Sequence, residues 1–210
     1  MEEVPHMRQV KKPEVRKAEI IDAALRTFAD KGYDRTTVES ITRELGVAKG
    51  CFYHHFTSKE HVFTEVIAAL AERICAGYLD ILGDISVSPR ARLLAYIDYN
   101  YTLTRADTVP AVMSTLHGDQ FRDMHHRVVD QVGTRLHPVL CELLAAGTGA
   151  GEFAVRDAEF TAVAILGMLR ELHEHYAERP DLDLESHRDA LLELLERILD
   201  TEFTETREQP

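Results

Sequence analysis

The sequence has 210 residues, 45% of them hydrophobic and 29% charged, which is typical of one or two globular domains and excludes a disordered chain. The formal net charge of −12 argues, taken as a whole, against a protein that binds nucleic acid, because DNA affinity depends largely on Lys and Arg. No run of about 18 apolar residues predicts a membrane span and the polar start has no signal-peptide core, so we expect a cytoplasmic protein.

The sequence lacks the common signatures of enzymes and of cysteine-based sites. G-x-S-x-G, H-E-x-x-H and Walker patterns do not occur. Cys51, Cys75 and Cys141 form no C-x-x-C pair that would indicate zinc or a thioredoxin-like motif. We therefore expect reduced thiols, no enzymatic activity, and no certain cofactor.

The negative charge is unevenly distributed along the chain. Residues 1–57 contain 10 Lys or Arg and 9 Asp or Glu, whereas residues 58–210 contain 14 and 27. A basic N-terminal arm, residues 1–13, precedes the first predicted helix. Its positive charges are Arg8, Lys11 and Lys12; Arg16 and Lys17 lie just beyond it, and Glu14 is the only acid between residues 8 and 17. Such an arm is either a solvated tail or a contact to phosphates, and a DNA-binding motif beside it would favour the second.

A long helix and then a short one are predicted after the arm. Apolar residues at steps of three and four predict an amphipathic helix over residues 14–31, which Gly32 ends. Thr36 with Glu39 three residues later predicts a capping box at the start of the next helix. Gly46 stops that helix.

A third and a fourth helix complete the N-terminal part. The third covers about residues 48–55 and places Phe52 and Phe56 together on an inward face. Ser58 can cap the fourth, whose long apolar stripe continues to residue 82. This helix is predicted to connect the N-terminal part to a larger second part.

The second part, residues 83–205, is predicted to be helical throughout. Its segments are residues 89–105, a helix opened by Pro110, residues 121–146 with a kink at Pro138, residues 157–178 and residues 186–203. The glycine cluster at residues 147–151 lacks the strand and the lysine of a phosphate-binding loop, so we interpret it as a turn between helices. No strand pattern and no repeat is present, and the predicted fold class is all-α.

One segment is specific enough to indicate a family. Residues 46–56 read GVAKGCFYHHF and are followed by TSKE; upstream lie Ala23-Ala24-Leu25 with Phe28, and Gly32-Tyr33 with Thr36-Thr37-Val38. Together these residues resemble the DNA-binding domain of the TetR/AcrR family of repressors over residues 14–63. Downstream, only the helical layout and the turn at residues 151–153 look similar. The resemblance implies a helix-turn-helix domain at residues 14–57, a connecting helix at 58–82, and a ligand-binding and dimerisation domain at 83–205.

The residues expected to contact DNA lie on and around the third helix. Gly50 has no side chain and allows close approach to the DNA, with Lys49 and Cys51 beside it facing the major groove. The resemblance implies phosphate contacts by Tyr53, His55 and Lys59, and a phosphate or base contact by His54. Thr36 and Thr37, at a helix N-terminus, are expected to contact phosphate through their hydroxyl and backbone N–H groups.

Cys51 departs from the family pattern, which usually has Thr or Ser at this position, so a hydroxyl contact is lost. Cys51, His54 and His55 are also spaced as metal ligands on one helical face, although DNA contact already explains these positions. A thiol switch at Cys51 has no marked partner in the sequence. We therefore keep both ideas as minor alternatives.

A second copy of the chain is the expected partner, because one recognition helix reads only a few base pairs and specificity needs two half-sites about 34–36 Å apart. In the resembled family the last two helices form a four-helix bundle between subunits. The apolar stripes at residues 163–172 and 191–199 suit that role, or equally an intrachain core.

Helices between residues 89 and 146 are expected to enclose the pocket for a small-molecule effector. The candidate lining residues, each of which could instead belong to the core, are Tyr96, Tyr99, Tyr101, Met113, His117, Phe121 and Met168. The effector would alter DNA binding only if it binds one of two conformations of the protein more tightly than the other.

Histidine is unusually frequent in the second part of the chain. The positions are His117, His125, His126, His137, His173, His175 and His187, with Asp119 and Asp123 near the first three. We hypothesise that His117, His125 and His173 bind a divalent metal, which requires that the three helices carrying them meet. The alternative is that these histidines are solvated or hydrogen-bonded.

The sequence therefore favours a ligand-responsive repressor, released from a near-palindromic operator by a small molecule. The alternatives are a metal-sensing regulator, a metal-dependent helical enzyme, and a binding module that carries a small helical domain. The effector, the operator, the target genes and the direction of regulation are not encoded in any recognisable pattern.

Overall fold

The computed structural model describes residues 12–105, 108–177 and 187–203. Every regular element in these ranges is helical, as the sequence predicts: α1 (Pro13–Arg35), α2 (Val38–Leu45), α3 (Lys49–His55), α4 (Lys59–Gly83), α5 (Pro89–Arg105), α6 (Thr108–Leu116), a 3₁₀ turn (Asp119–Phe121), α7 (Arg122–Gly149), α8 (Ala158–Ala177) and α9 (Arg188–Leu199). Two compact units, Met1–Ala68 and Ala69–Pro210, divide the chain within α4. None of the described helices has the length and apolar character needed to cross a membrane. Arg8, Lys11 and Ser186, named in the sequence predictions, lie outside the described residues.

The first unit consists of α1, α2, α3 and the beginning of α4 around an aromatic core. The predicted apolar face of α1 is buried, and Phe28 packs edge-on against Phe63 of α4 with ring centroids 5.1 Å apart. Gly32, predicted to end α1, instead kinks it, with φ 76° and ψ 165°, and one further turn follows to Arg35. This backbone conformation lies in the left-handed region and favours glycine.

The capping box of α2 is displaced by one residue from its predicted position. Thr37, not Thr36, is the N-cap: its hydroxyl accepts a hydrogen bond from the Ser40 backbone N–H at 3.1 Å, and Ser40 Oγ accepts one from the Thr37 N–H at 3.1 Å. The prediction that paired Thr36 with Glu39 is therefore wrong. Of the two adjacent threonines only Thr36 has a Glu three residues later, but Thr36 is buried and Ser40 closes the box with Thr37 instead.

The second unit has its own core, in which α5, α7, α8 and α9 contribute the central side chains. The most deeply buried aliphatic members larger than alanine are Leu82, Leu93, Ile97, Leu140, Leu143, Leu144, Ile165, Leu195 and Leu199. Arg188 at the start of α9 donates to the Asp98 carboxylate on α5 at 2.5 Å, which ties the two helices together at the rim of this core. The helical layout predicted for this part is confirmed.

α7 and α8 run antiparallel. His125 near the start of α7 lies beside Glu174 near the end of α8, with 3.4 Å between Nδ1 and Oε1. Farther along α7, Asp130 accepts a hydrogen bond from Arg170 at 2.7 Å. The residue numbers of the paired positions therefore rise along α7 while they fall along α8. This packing places the C-terminal end of α8 at the N-terminal end of α7.

Several helix ends differ from the sequence predictions. α7 continues past residue 146 to Gly149, passing through Pro138, so part of the glycine cluster is helical. The turn itself is made at Gly151, with φ 73°, and the Glu152 N–H donates to the Gly147 carbonyl at 2.8 Å. α6 begins at Thr108, two residues before Pro110. Helix ends depend on turn hydrogen bonds, which periodicity does not report.

Candidate functional site

The first candidate site is the pair α2 and α3 with the turn between them. Gly46 ends α2 in the left-handed conformation, φ 69°, and its N–H donates to the carbonyls of Arg43 and Thr42. The Val47 N–H donates to the Thr42 carbonyl at 2.9 Å, and Ala48 is the N-cap of α3. A non-glycine residue would be strained at Gly46, so this position determines the angle at which α3 leaves the turn.

The inward face of α3 is anchored by two aromatic rings. Phe52 and Phe56 are fully buried, as predicted, with ring centroids 5.4 Å apart. Burying an aromatic side chain of this size stabilises a small domain by about 2–3 kcal/mol. The anchoring holds the opposite face of α3 rigidly toward solvent.

That outward face carries the predicted contact residues. Lys49, Gly50, Tyr53 and His54 are exposed, and the Tyr53 ring is 51% exposed even though it is large and aromatic. Cys51 and His55 are half-buried. The fold thus brings the predicted α3 residues to one surface at the start of a helix, where side chains can reach the edges of base pairs.

Lys49 forms an ion pair with Glu39 of α2, and its ammonium lies 5.9 Å from the centre of the Tyr53 ring. The hydrogen bond from Lys49 holds the pKa of Glu39 below its usual range, and Glu39 in turn raises the pKa of Lys49. Both groups are solvent-exposed, so the pair contributes little to stability. Its main effect is to orient Lys49 across the turn.

Burial lowers the pKa of His55 below its ordinary value, and His54, Lys17 and Arg16 lower it further, so its neutral form is favoured at neutral pH. A neutral imidazole both donates and accepts hydrogen bonds but gives no ionic attraction to phosphate. The cations beside it, Arg16 and Lys17 of α1, are the nearby source of positive charge. The sequence grouped these two residues with the charges of the basic arm and did not predict that they lie near α3.

Thr36, which was predicted to contact DNA, lies in the interior of the first unit and not on its surface. It is only 2% exposed, its hydroxyl donates to the Gly32 carbonyl at 2.7 Å, and its N–H donates to the Tyr33 carbonyl at 3.2 Å. Both donors assigned to phosphate are used within the chain. Thr37 is exposed at the N-terminus of α2, where the helix dipole favours an anion.

Lys59 supports the fold of the first unit. Its ammonium donates to the Tyr33 carbonyl at 2.8 Å and lies 4.2 Å from the centre of the Tyr33 ring. Lys59 therefore joins the start of α4 to the end of α1. A phosphate contact would have to use its remaining N–H groups, so its substitution affects folding as well as binding.

In the second unit, the predicted pocket residues fall in two places. Tyr96 and Tyr101 belong to the buried core, while Tyr99 and Met168 pack against it. Tyr78, which the sequence did not single out, contacts Tyr96 and Tyr99 with ring centroids 5.0 and 5.4 Å away. Met113 and His117, both half-buried, and Phe121, which is buried, lie at the end of α6 and in the 3₁₀ turn.

The three histidines predicted to converge do lie together. One potential ligand atom from each of His117, His125 and His173 falls within 4.8 Å of the others, and the Nε2 atoms of His117 and His173 are 3.3 Å apart. A second group joins His125 to His126 and Glu174. Asp119 and Asp123, expected nearby, belong to neither group, and nor do Cys51, His54 and His55, among the residues that the structure describes.

Comparisons with known proteins agree with this architecture. Residues 20–66 match the family described as bacterial regulatory proteins, tetR family, and residues 86–199 match the tetracyclin repressor-like C-terminal domain. The second match alone spans more than half of the chain. The chain belongs to the TetR family.

Individual TetR-family relatives are moderately similar. The HTH-type transcriptional repressor KstR2 of Rhodococcus jostii (strain RHA1) is 28% identical over 145 residues, which are 69% of this chain and 68% of that protein. The HTH-type transcriptional regulator BetI of Burkholderia mallei (strain NCTC 10229) is 31% identical over 140 residues, covering 61% and 67%. A crystal structure of a TetR-family transcriptional regulator from Mesorhizobium loti MAFF303099 shares the fold, with a TM-score of 0.70 and 23% identity over 90% of this chain and 98% of that one.

These TetR-family matches decide the class of the protein. Family and relatives are helix-turn-helix transcriptional regulators, typically dimeric and ligand-binding, so this chain is a DNA-binding regulator and not an enzyme. The alternative of a metal-dependent helical enzyme is therefore wrong.

Proposed function

We propose that this chain is a homodimeric repressor that binds a near-palindromic operator through α3 and is released by a small molecule. The observation that carries the proposal is the exposed surface of Lys49, Gly50, Tyr53 and His54, held outward by buried aromatic residues on the opposite face. The relatives named as repressors support the direction of regulation. Thr37, Cys51 and His55 complete the proposed contact surface.

Dimerisation is proposed to use α8 and α9. Phe160 and Val163 on α8 are 72% and 57% exposed, and Leu194 and Ile198 on α9 are also exposed, although all four are large apolar side chains. Other residues of the same helices, such as Ile165 and Leu195, fill the core. An apolar face left over after the core is complete is typical of an interface.

The effector is proposed to bind in the second unit, beside the tyrosines of α5. Tyr78 donates a hydrogen bond to Asn100 Oδ1 at 2.8 Å, and Tyr96 is buried beside it, so polar groups are present within an otherwise apolar region. A site of this composition suits a mainly apolar molecule with a few polar groups. Ligand binding would lower DNA affinity only if the DNA-binding state binds the ligand more weakly.

The test is selection of operator DNA from a random duplex pool with the full purified chain, followed by binding titrations at several salt concentrations. We expect an inverted repeat with affinity that falls as salt rises. Lys49→Ala and Tyr53→Ala should weaken binding roughly tenfold or more. Arg127→Ala removes a charge from an exposed position in the second unit and should leave affinity unchanged.

Lys59 is a poor test residue because its contacts to Tyr33 support folding. Failure to enrich any sequence, binding that does not respond to salt, or equal losses in Lys49→Ala and Arg127→Ala would each contradict the proposal.

A further inference from the structure

The histidine cluster at the N-terminal end of α7 has features that hydrogen bonding does not explain. His125 is a polar residue only 2% exposed, and its Nε2 atom is buried without a hydrogen-bond partner among the described residues. Leaving a buried polar nitrogen unsatisfied costs about 1–3 kcal/mol. A group that binds this nitrogen would remove the cost.

The geometry around that nitrogen is suitable for a metal ion. His117 follows the end of α6, His125 lies in the first turn of α7, and His173 lies near the end of α8, so the rings converge from three separate elements. The ring centroids of His117 and His125 are 4.4 Å apart, and those of His117 and His173 are 5.3 Å apart.

We propose that His117, His125 and His173 bind one divalent transition-metal ion of the zinc type. Two nitrogens bound to a tetrahedral zinc at about 2.0–2.1 Å would lie roughly 3.3–3.4 Å apart. The Nε2 atoms of His117 and His173 are 3.3 Å apart. This separation equals the edge of the coordination tetrahedron and is at the long limit for a hydrogen bond between two rings.

Glu174 completes the arrangement as a positioning residue. Its Oε1 atom lies 3.4 Å from His125 Nδ1, and it too is buried without a hydrogen-bond partner among the described residues. A carboxylate beside Nδ1 keeps the proton on that atom and leaves Nε2 free for a metal, as is common for metal-bound histidines. Metal binding would therefore satisfy Nε2 and strengthen the His125–Glu174 contact together.

The donor chemistry of the three histidines indicates which class of metal the site would bind. An all-imidazole donor set favours zinc and similar ions over magnesium or calcium, which prefer oxygen ligands.

The test measures metal binding by the full chain after removal of bound metal with a chelator. Titration with Zn²⁺ should give one ion per chain, and Co²⁺ should produce the visible absorption bands of a tetrahedral complex. Glu174→Gln should weaken zinc binding roughly 10- to 100-fold. Because metal binding is measured without DNA, the site and the proposed DNA-binding function can fail independently.

Matched variants locate the ion. His117→Gln and His173→Gln should lose the stoichiometric site, whereas His126→Gln, at the exposed residue next to His125, should keep it. His125→Gln is expected to lose the zinc site as well, but substitution at this buried residue disturbs folding more readily. The test therefore depends on His117, which is half-buried, and His173, which is exposed. Circular dichroism checks that each variant is folded. No stoichiometric Zn²⁺ in the wild-type chain, or loss in His126→Gln with retention in His117→Gln, would overturn the proposal. Unchanged affinity in Glu174→Gln would overturn the role of that carboxylate.

Discussion

At the scale of single residues, Gly50 is notable because the fold does not require glycine there. A Cβ atom added at Gly50 would meet no described atom within 4 Å, and its φ is not among the positive values. Glycine inside a helix is destabilising by about 0.5–1 kcal/mol relative to alanine. The fold gains no stability from glycine at this position, and we propose that close approach of DNA to the start of α3 is what favours it.

Gly50→Ala should raise the free energy of unfolding by about 0.5–1 kcal/mol and weaken binding to the selected operator. Urea denaturation and fluorescence anisotropy measure the two effects separately. Gly133→Ala is the matched control, since Gly133 also lies within a helix with open space around it. The control should gain similar stability without any loss of DNA affinity. Equal DNA affinity in Gly50→Ala and wild type would argue against close approach at this residue.

Residue-level features of the DNA-binding site were predictable to different degrees. The order of residues 46–56 was enough to predict which face of α3 is exposed, because residues three and four apart in a helix lie on the same face. It was not enough to separate Thr36 from Thr37. Burial of Thr36 against the second half of α1 made that distinction, through hydrogen bonds from its hydroxyl to the carbonyls of Gly32 and Thr27 that the capping pattern does not report.

At the scale of elements, the junction after α7 depends on one close contact. Gly147 is buried in α7, and a Cβ atom there would lie 2.2 Å from Cδ2 of Phe153. The Phe153 ring packs over this helical residue, while Gly151 reverses the chain between them with φ 73°. The absence of a side chain at residue 147 thus allows the turn into α8 to close.

Gly147→Ala should destabilise the second unit by about 1–3 kcal/mol, because the ring of Phe153 must move to accommodate the methyl group. Gly149→Ala, two residues later and with no atom within 4 Å, is the control and should not destabilise it. Urea denaturation followed by far-UV circular dichroism gives both values. A similar unfolding free energy for the two variants would contradict the importance of the Phe153 contact.

At the scale of the whole molecule, the exposed apolar face of α8 and α9 determines the expected assembly. Phe160, Val163, Leu194 and Ile198 remain exposed after the core of the second unit is complete. Because operator recognition needs two copies of α3, loss of the dimer should also reduce DNA affinity.

Phe160→Glu combined with Ile198→Glu should convert the dimer into a monomer, since burying unpaired charges in an apolar interface is unfavourable. Sedimentation equilibrium at micromolar concentration measures the change. Ile85→Glu is the control, because Ile85 is 91% exposed but lies in the loop after α4. A monomeric wild-type chain, or a double variant that remains dimeric, would place the interface elsewhere.

The sequence by itself determined the all-α class, the approximate bounds of most helices and the helix-turn-helix motif. These features depend on local rules: the 3.6-residue period, glycine at helix ends, and a short motif whose residues lie within one or two turns of each other. It also identified His117, His125 and His173 as candidates that would need to converge.

Only the tertiary structure decided whether those histidines meet, which apolar residues of α8 and α9 stay exposed, and which threonine caps α2. Each answer depends on packing between segments many residues apart, such as the antiparallel pairing of α7 and α8 that brings His173 and Glu174 to His125. Periodicity shows that a helix has an apolar face but does not identify the partner of that face.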